Sequence, residues 1–180
     1  MTEDNPLYTE PENTKKVETK KNLAPTIKEE ANLLERLKET ISKKVERPVV
    51  RLEVPERPGV SLRISPNITQ HQLKQWRKQS GEDTKQGLDS IKFSCHVIGH
   101  TTVGVCFDGE EVVDADGYEL NFASSHILEM TDTTRPIPEA VRAFFGVDPH
   151  LEAAALAILD AAGYSDTVDT SDPTMESSTS

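Results

Sequence analysis

Two short runs of alternating apolar and charged residues, separated by prolines and a glycine, give this chain its firmest fixed point. In VVRLEVPERPGVSLRISPN, Val50, Leu52 and Val54 alternate with Arg51 and Glu53; Val60, Leu62 and Ile64 repeat the pattern after the break. Successive strand side chains point to opposite faces, so each run has one apolar face. Pro55, Pro58 and Gly59 supply the turn, and the pair is predicted to form a β-hairpin with one buried face.

Helical patterns flank it. Upstream, Ile27, Leu34, Leu37 and Ile41 recur at helical spacing, Thr26 and Glu29 make a capping-box pattern, and Pro48 stops the segment. This lean amphipathic helix can pack loosely on the rest or on a partner. Downstream, Asn67 or Thr69 can cap a helix through TQHQLKQWRKQS that Gly81 ends, with Leu73 and Trp76 on one side. Leu88, Ile91, Cys95, Ile98, Thr102 and Val105 then form a helix seam. The alternation of Val103, Val105 and Phe107 also permits a strand, so residues 99–107 stay open between the two.

Two Asp-Gly pairs lie in FDGEEVVDADGYELNF, where Tyr118, Leu120 and Phe122 predict a short extended segment or hairpin. Helices follow: one capped by Ser124 with Ile127, Leu128 and Met130, and one opened by Pro138 and ended by Gly146. The last starts at Asp148 and Pro149, buries Leu151, Ala155, Ile158, Leu159 and Ala162, and closes at Gly163.

Both ends read differently. Residues 1–23 are charged and proline-containing, and residues 167–180 are an acidic, Ser/Thr-rich stretch; neither has enough to bury to offset the entropy of ordering. The expected organisation is a disordered tail over 1–23, an amphipathic helix over 24–47, a compact domain over 48–166 and a second disordered tail over 167–180. The fold class is α+β and predominantly helical, with an N-terminal β-hairpin followed by a small helical bundle.

Charge is unevenly placed. Residues 1–81 carry 16 Lys/Arg against 12 Asp/Glu, a net of +4, whereas residues 82–180 carry 4 against 19, a net of −15. So acidic a surface repels nucleic acid and anionic lipid, because phosphate binding draws its affinity from Lys and Arg. Lys74, Arg77 and Lys78 are the basic exception and read as a solvated helix face. No apolar run approaches the ~18–20 residues of a membrane helix, and the start lacks the basic-then-apolar order of a signal peptide. Cys95 and Cys106 are too few for a disulfide framework; buried thiols in a cytoplasmic protein are expected.

The motifs of catalysis and metal binding fit poorly. Cys95, His96, His100 and Cys106 match no zinc-ligand spacing, with the histidines placed off the seam and expected at the surface. Asp114-Ala115-Asp116-Gly117 resembles part of a calcium loop, but Val112 and Ala123 stand where oxygen ligands belong. No serine occupies a G-x-S-x-G elbow, and neither cysteine has a basic setting. The expectation is a non-catalytic protein with no cofactor and no metal. Trp76 is a core residue or a partner anchor; Phe144 and Phe145 are about 100° apart on a helix, so one of them is expected to face a partner.

The order of features, with Val113-Asp114-Ala115-Asp116-Gly117-Tyr118-Glu119-Leu120-Asn121-Phe122 and Leu159-Asp160-Ala161-Ala162-Gly163-Tyr164, resembles the tail assembly chaperones of long-tailed (siphovirus-type) bacteriophages of actinobacterial hosts. The likeness spans about residues 48–165. It implies a small, mainly helical protein that binds the tape measure protein and recruits tail tube subunits in the cytoplasm of the infected host. Such proteins are typically absent from the finished virion, and often have a longer frameshifted product. Partner-binding residues expected on this reading are Trp76, Phe144, Phe145 and Tyr164, with a homo-oligomer also compatible. A phage structural component, such as a head–tail connector or minor tail protein, and a nucleic-acid-binding regulator are the competing readings.

Overall fold

The computed structural model describes residues 27–165. The two tails expected to be disordered and the Thr26 cap lie outside them. These described residues divide into two compact units, one ending at Val45 and one beginning at Glu46.

In the first unit, helix α1 spans Ile27–Ser42. Its end falls at Ser42 rather than at Pro48, where the Ser42 hydroxyl donates to the Glu39 carbonyl and so competes with continued winding. Lys43 and Glu39, four apart, lie 3.6 Å from each other.

The second unit begins with the expected hairpin, β1 (Val50–Glu53) and β2 (Val60–Ile64), paired antiparallel with Leu52 opposite Leu62. The hairpin is not the whole sheet. Strands β3 (Thr102–Phe107) and β4 (Glu110–Val112) continue it in the order β1-β2-β3-β4, all neighbours antiparallel. A hairpin leading into a helical bundle is thus corrected to a four-stranded sheet with helices, still α+β. Asp108 and Gly109, both at positive φ, make the two-residue turn between β3 and β4, the geometry that matches strand twist. The 113–122 stretch yields only a single bridge, Val113 to Glu119. There Tyr118 is exposed while Leu120 and Phe122 are buried, so the three do not share one face.

The residues left open between helix and strand resolve in sequence. Helix α3 runs Ser90–Thr101, and the strand starts at the next residue. Helix α2 (Gln70–Gln79) has the reciprocal capping box of Thr69 and Gln72. Helices α4 (Ser125–Thr131), α5 (Val141–Phe145) and α6 (Asp148–Ala161) follow, with a wider turn over Pro136–Ala140 leading into α5. Ser124 precedes α4 without capping it by side chain; its hydroxyl instead accepts from the Asn121 amide.

One sheet face and the inner faces of the helices share a core containing Leu62, Ile64, Val105, Ile98, Phe145 and Ile158. Burying such side chains contributes about 1.5–3 kcal/mol each before chain entropy is charged against it. The other sheet face is a charged layer. Arg51 and Arg63 stand directly opposite on β1 and β2, a repulsive arrangement by itself. Arg63 resolves it by pairing with Glu119 and, at 3.0 Å, with Glu111; Arg51 turns to the Gly109 carbonyl at 3.5 Å. Gly104, opposite Arg63, leaves room for this: a Cβ there would lie 2.9 Å from Glu119 Oε2. The sheet edges are short, with β1 flanked by Pro48 and Pro55 and β4 carrying Glu110 and Glu111.

Candidate functional site

The residues expected to bind a partner fall into three different surroundings. Trp76 and Phe145 are buried, at 4% and 0% exposure, so the core role weighed for Trp76 is the one its burial satisfies and neither ring is offered to a partner in this conformation. Tyr164 is half-buried; its hydroxyl donates to the Ile68 carbonyl at 2.8 Å, tethering the segment after α6 to the loop before α2. Phe144 is half-buried, edge-on to Phe122 with centroids 5.3 Å apart. Adjacent helical positions diverge by about 100°, so Phe145 turns inward and Phe144 toward an opening.

That opening is a cleft of about 290 Å³ lined by Arg57, Val60, Met130, Thr131, Ala143 and Phe144. Three elements build it: the hairpin tip, the end of α4 and helix α5. Arg57 holds two of them together, donating from Nε to the Phe144 carbonyl at 3.1 Å and from Nη2 to the Ala143 carbonyl at 3.3 Å. These carbonyls belong to the last turn of α5, where backbone acceptors are unsatisfied and a cation is favoured. Gly146, at positive φ, ends that helix and leaves space beside the guanidinium. Met130 is 68% exposed and Phe107, the β3 partner of Val60, is 53% exposed. At the hairpin tip the Phe107 ring and the Asp108 carboxylate both lie beside Gly59.

A second feature was misread from sequence. His96, expected at the surface, is buried at 8% exposure, and neither ring nitrogen has a hydrogen-bond partner. It stacks on His100, which stacks in turn on Trp76, with centroid separations of 5.7 and 5.2 Å and interplanar angles of 8° and 3°. Burial, then the neighbouring His100 and Lys92, push the His96 pKa down to about 4. Burial also lowers that of His100. Position 96 follows Cys95 on α3, and a helix packed against α2, α5, α6 and the 136–140 turn has little outer face left.

Cys95 and Cys106 are free and buried. Burial, chiefly, pushes the Cys95 thiol up to about 12. Among the described residues, no three His, Cys, Asp or Glu side chains are grouped to hold a metal ion, and no helix is long and apolar enough to cross a membrane. Asp114 uses its Oδ1 to accept from the amides of Asp116 and Tyr118, each at 2.9 Å, which is turn chemistry.

Comparison with family models, curated proteins and solved structures returns no match to this chain. The Met130 and Phe107 contributions to the apolar surface were missed in the sequence. Met130 lies three residues after buried Ile127, a spacing that normally keeps both on one helix face. Only the end of α4 at Thr131 releases it.

Proposed function

We propose that this protein is a non-catalytic binder of another polypeptide, and specifically a tail assembly chaperone of a long-tailed bacteriophage. On this reading it holds the tape measure protein, recruits tail tube subunits in the cytoplasm of the infected host, and is left behind when the virion is complete. The observation that carries the binding role is the open apolar cleft beside exposed Met130 and Phe107 on an acidic body. Apolar surface of this kind takes an apolar client, while like charge keeps the carrier dispersed. The phage assignment rests on the sequence resemblance over residues 48–165.

The test is co-purification with the tape measure protein encoded in the same genome, at low and moderate salt. The reading predicts a complex weakened by salt, and absence of the chain from purified virions by mass spectrometry. No complex at either salt concentration would remove the chaperone assignment. Retention in virions would favour a structural tail component.

A further inference from the structure

We propose that the cleft between the hairpin tip and helices α4 and α5 seats an apolar side chain from a Lys- or Arg-bearing amphipathic helix of a partner protein. This deepens the client-binding reading by assigning its surface and the chemistry of its occupant.

Charge selects the occupant. The floor and walls are apolar at Val60, Met130, Ala143 and Phe144. The charged residues adjoining the apolar surface in the chain are Glu56 beside Arg57, Asp108 beside Phe107, and Glu129 and Asp132 bracketing Met130 and Thr131, all four exposed, together with Arg142 beside Ala143, a cation paired with Asp148. Arg57, the one cation in the lining, aims its guanidinium at the carbonyls of Ala143 and Phe144. The chain neighbours of the lining thus carry four exposed carboxylates against one cation that is already paired, and a ligand's flanking residues are favoured when basic. The concavity beside α2 has the opposite character, lined by His71, Lys74, Gln75 and Lys78.

Geometry selects a helix over a strand. The cleft lies away from the backbone edges of the sheet and offers side-chain surface. It also has a second apolar contact next to it, the exposed Phe107 ring against Gly59. A helix presents apolar residues at i and i+4 on one face, matching a cleft plus a neighbouring ring.

The test uses the full chain with its methionine methyls isotopically labelled; there are three methionines, and Met130 is the reporter. The probe is a synthetic leucine/lysine helix of about 18 residues, with leucines at i, i+3, i+4 and i+7, and the control is its leucine/glutamate counterpart. The leucine/lysine helix is expected to shift the Met130 methyl saturably. Met130→Lys, at an exposed position, is expected to weaken binding roughly tenfold or more, about 1.4 kcal/mol. Glu129→Lys with Asp132→Lys is expected to weaken it as well, and the glutamate helix is expected not to bind. An unmoved Met130 signal, equal binding by Met130→Lys, or equal binding of the two helices would overturn the proposal. A tape measure segment held alike by the native chain and by Met130→Lys would overturn the cleft while leaving the chaperone reading intact. Leucine/lysine helix capture at Met130 together with no tape measure complex would support the cleft and remove the chaperone reading.

Discussion

Lowering the pH from 7.5 to 4 should destabilise the second unit by about 3 kcal/mol through His96. The ring is buried with both nitrogens unpartnered, and its pKa falls from 6.5 to about 4. Because the folded value is depressed, the folded chain keeps a neutral ring while the unfolded chain takes up a proton below pH 6.5. The His96 contribution is therefore undiminished above 6.5, declines as pH drops through the interval, and is fully lost once pH has passed about 4. Each pKa unit corresponds to about 1.4 kcal/mol, so a difference of roughly two and a half units, half-saturated at pH 4, gives about 3 kcal/mol. Against a total stability of about 5–15 kcal/mol that is a large share. The assay is urea unfolding at pH 7.5, 6, 5 and 4, comparing the native chain with His96→Leu. Leucine fills a similar volume and has no polar atom to leave unpaired, so the two proteins should differ by less than about 1.5 kcal/mol at pH 7.5. Groups remote from His96 are common to both proteins and cancel in the difference; His100, stacked on His96, is not among them. The variant should gain on the native chain progressively below pH 6.5. Parallel loss of stability in the two proteins would refute a neutral, buried His96.

Three further outcomes follow from local contacts. Gly99→Ala should destabilise by about 1–2 kcal/mol despite better helix propensity, because its Cβ would lie 2.5 Å from Ile137 Cδ1 and 3.2 Å from Val141 Cγ2; thermal melting should show Ile137→Val recovering part of the loss. Thr69→Ala should cost about 1 kcal/mol by removing the hydroxyl oxygen that accepts from the Gln72 amide, measurable as a lowered urea midpoint. Cys95, with its thiol pushed up to about 12, should resist alkylation at pH 8 in the native state and react readily in urea; fast native labelling followed by mass spectrometry would contradict its burial.

The sequence was most informative where a local rule had no competitor. Thr69, one of the two caps open in the sequence, and Gly81 bracket α2 because capping and positive φ are decided within a few residues. The hairpin of β1 and β2 was legible for the same reason. The junction at 101–102 was not, since no glycine or proline separates α3 from β3, and Thr102 and Val105 satisfy helix spacing while Val103, Val105 and Phe107 satisfy strand alternation. What decided it was β2: Leu62 pairs with Val105 across a separation of some forty residues, and no local pattern reports that. His96 failed similarly, because its burial depends on how many elements crowd α3. Of the four aromatic residues expected at a partner surface, only Phe144 lines the cleft, and its companions there, Arg57 and Met130, come from segments that meet only in the folded chain.

The abbreviated margins of the sheet limit how this molecule can associate. A foreign strand laid along β1 would run into prolines on either side after four residues, and one laid along β4 would find three residues and two glutamates. Backbone templating, the usual route by which sheet proteins stack into ribbons, has little to build on at either margin. Association is thereby left to side chains, whose contacts can let go where a shared backbone ladder would not.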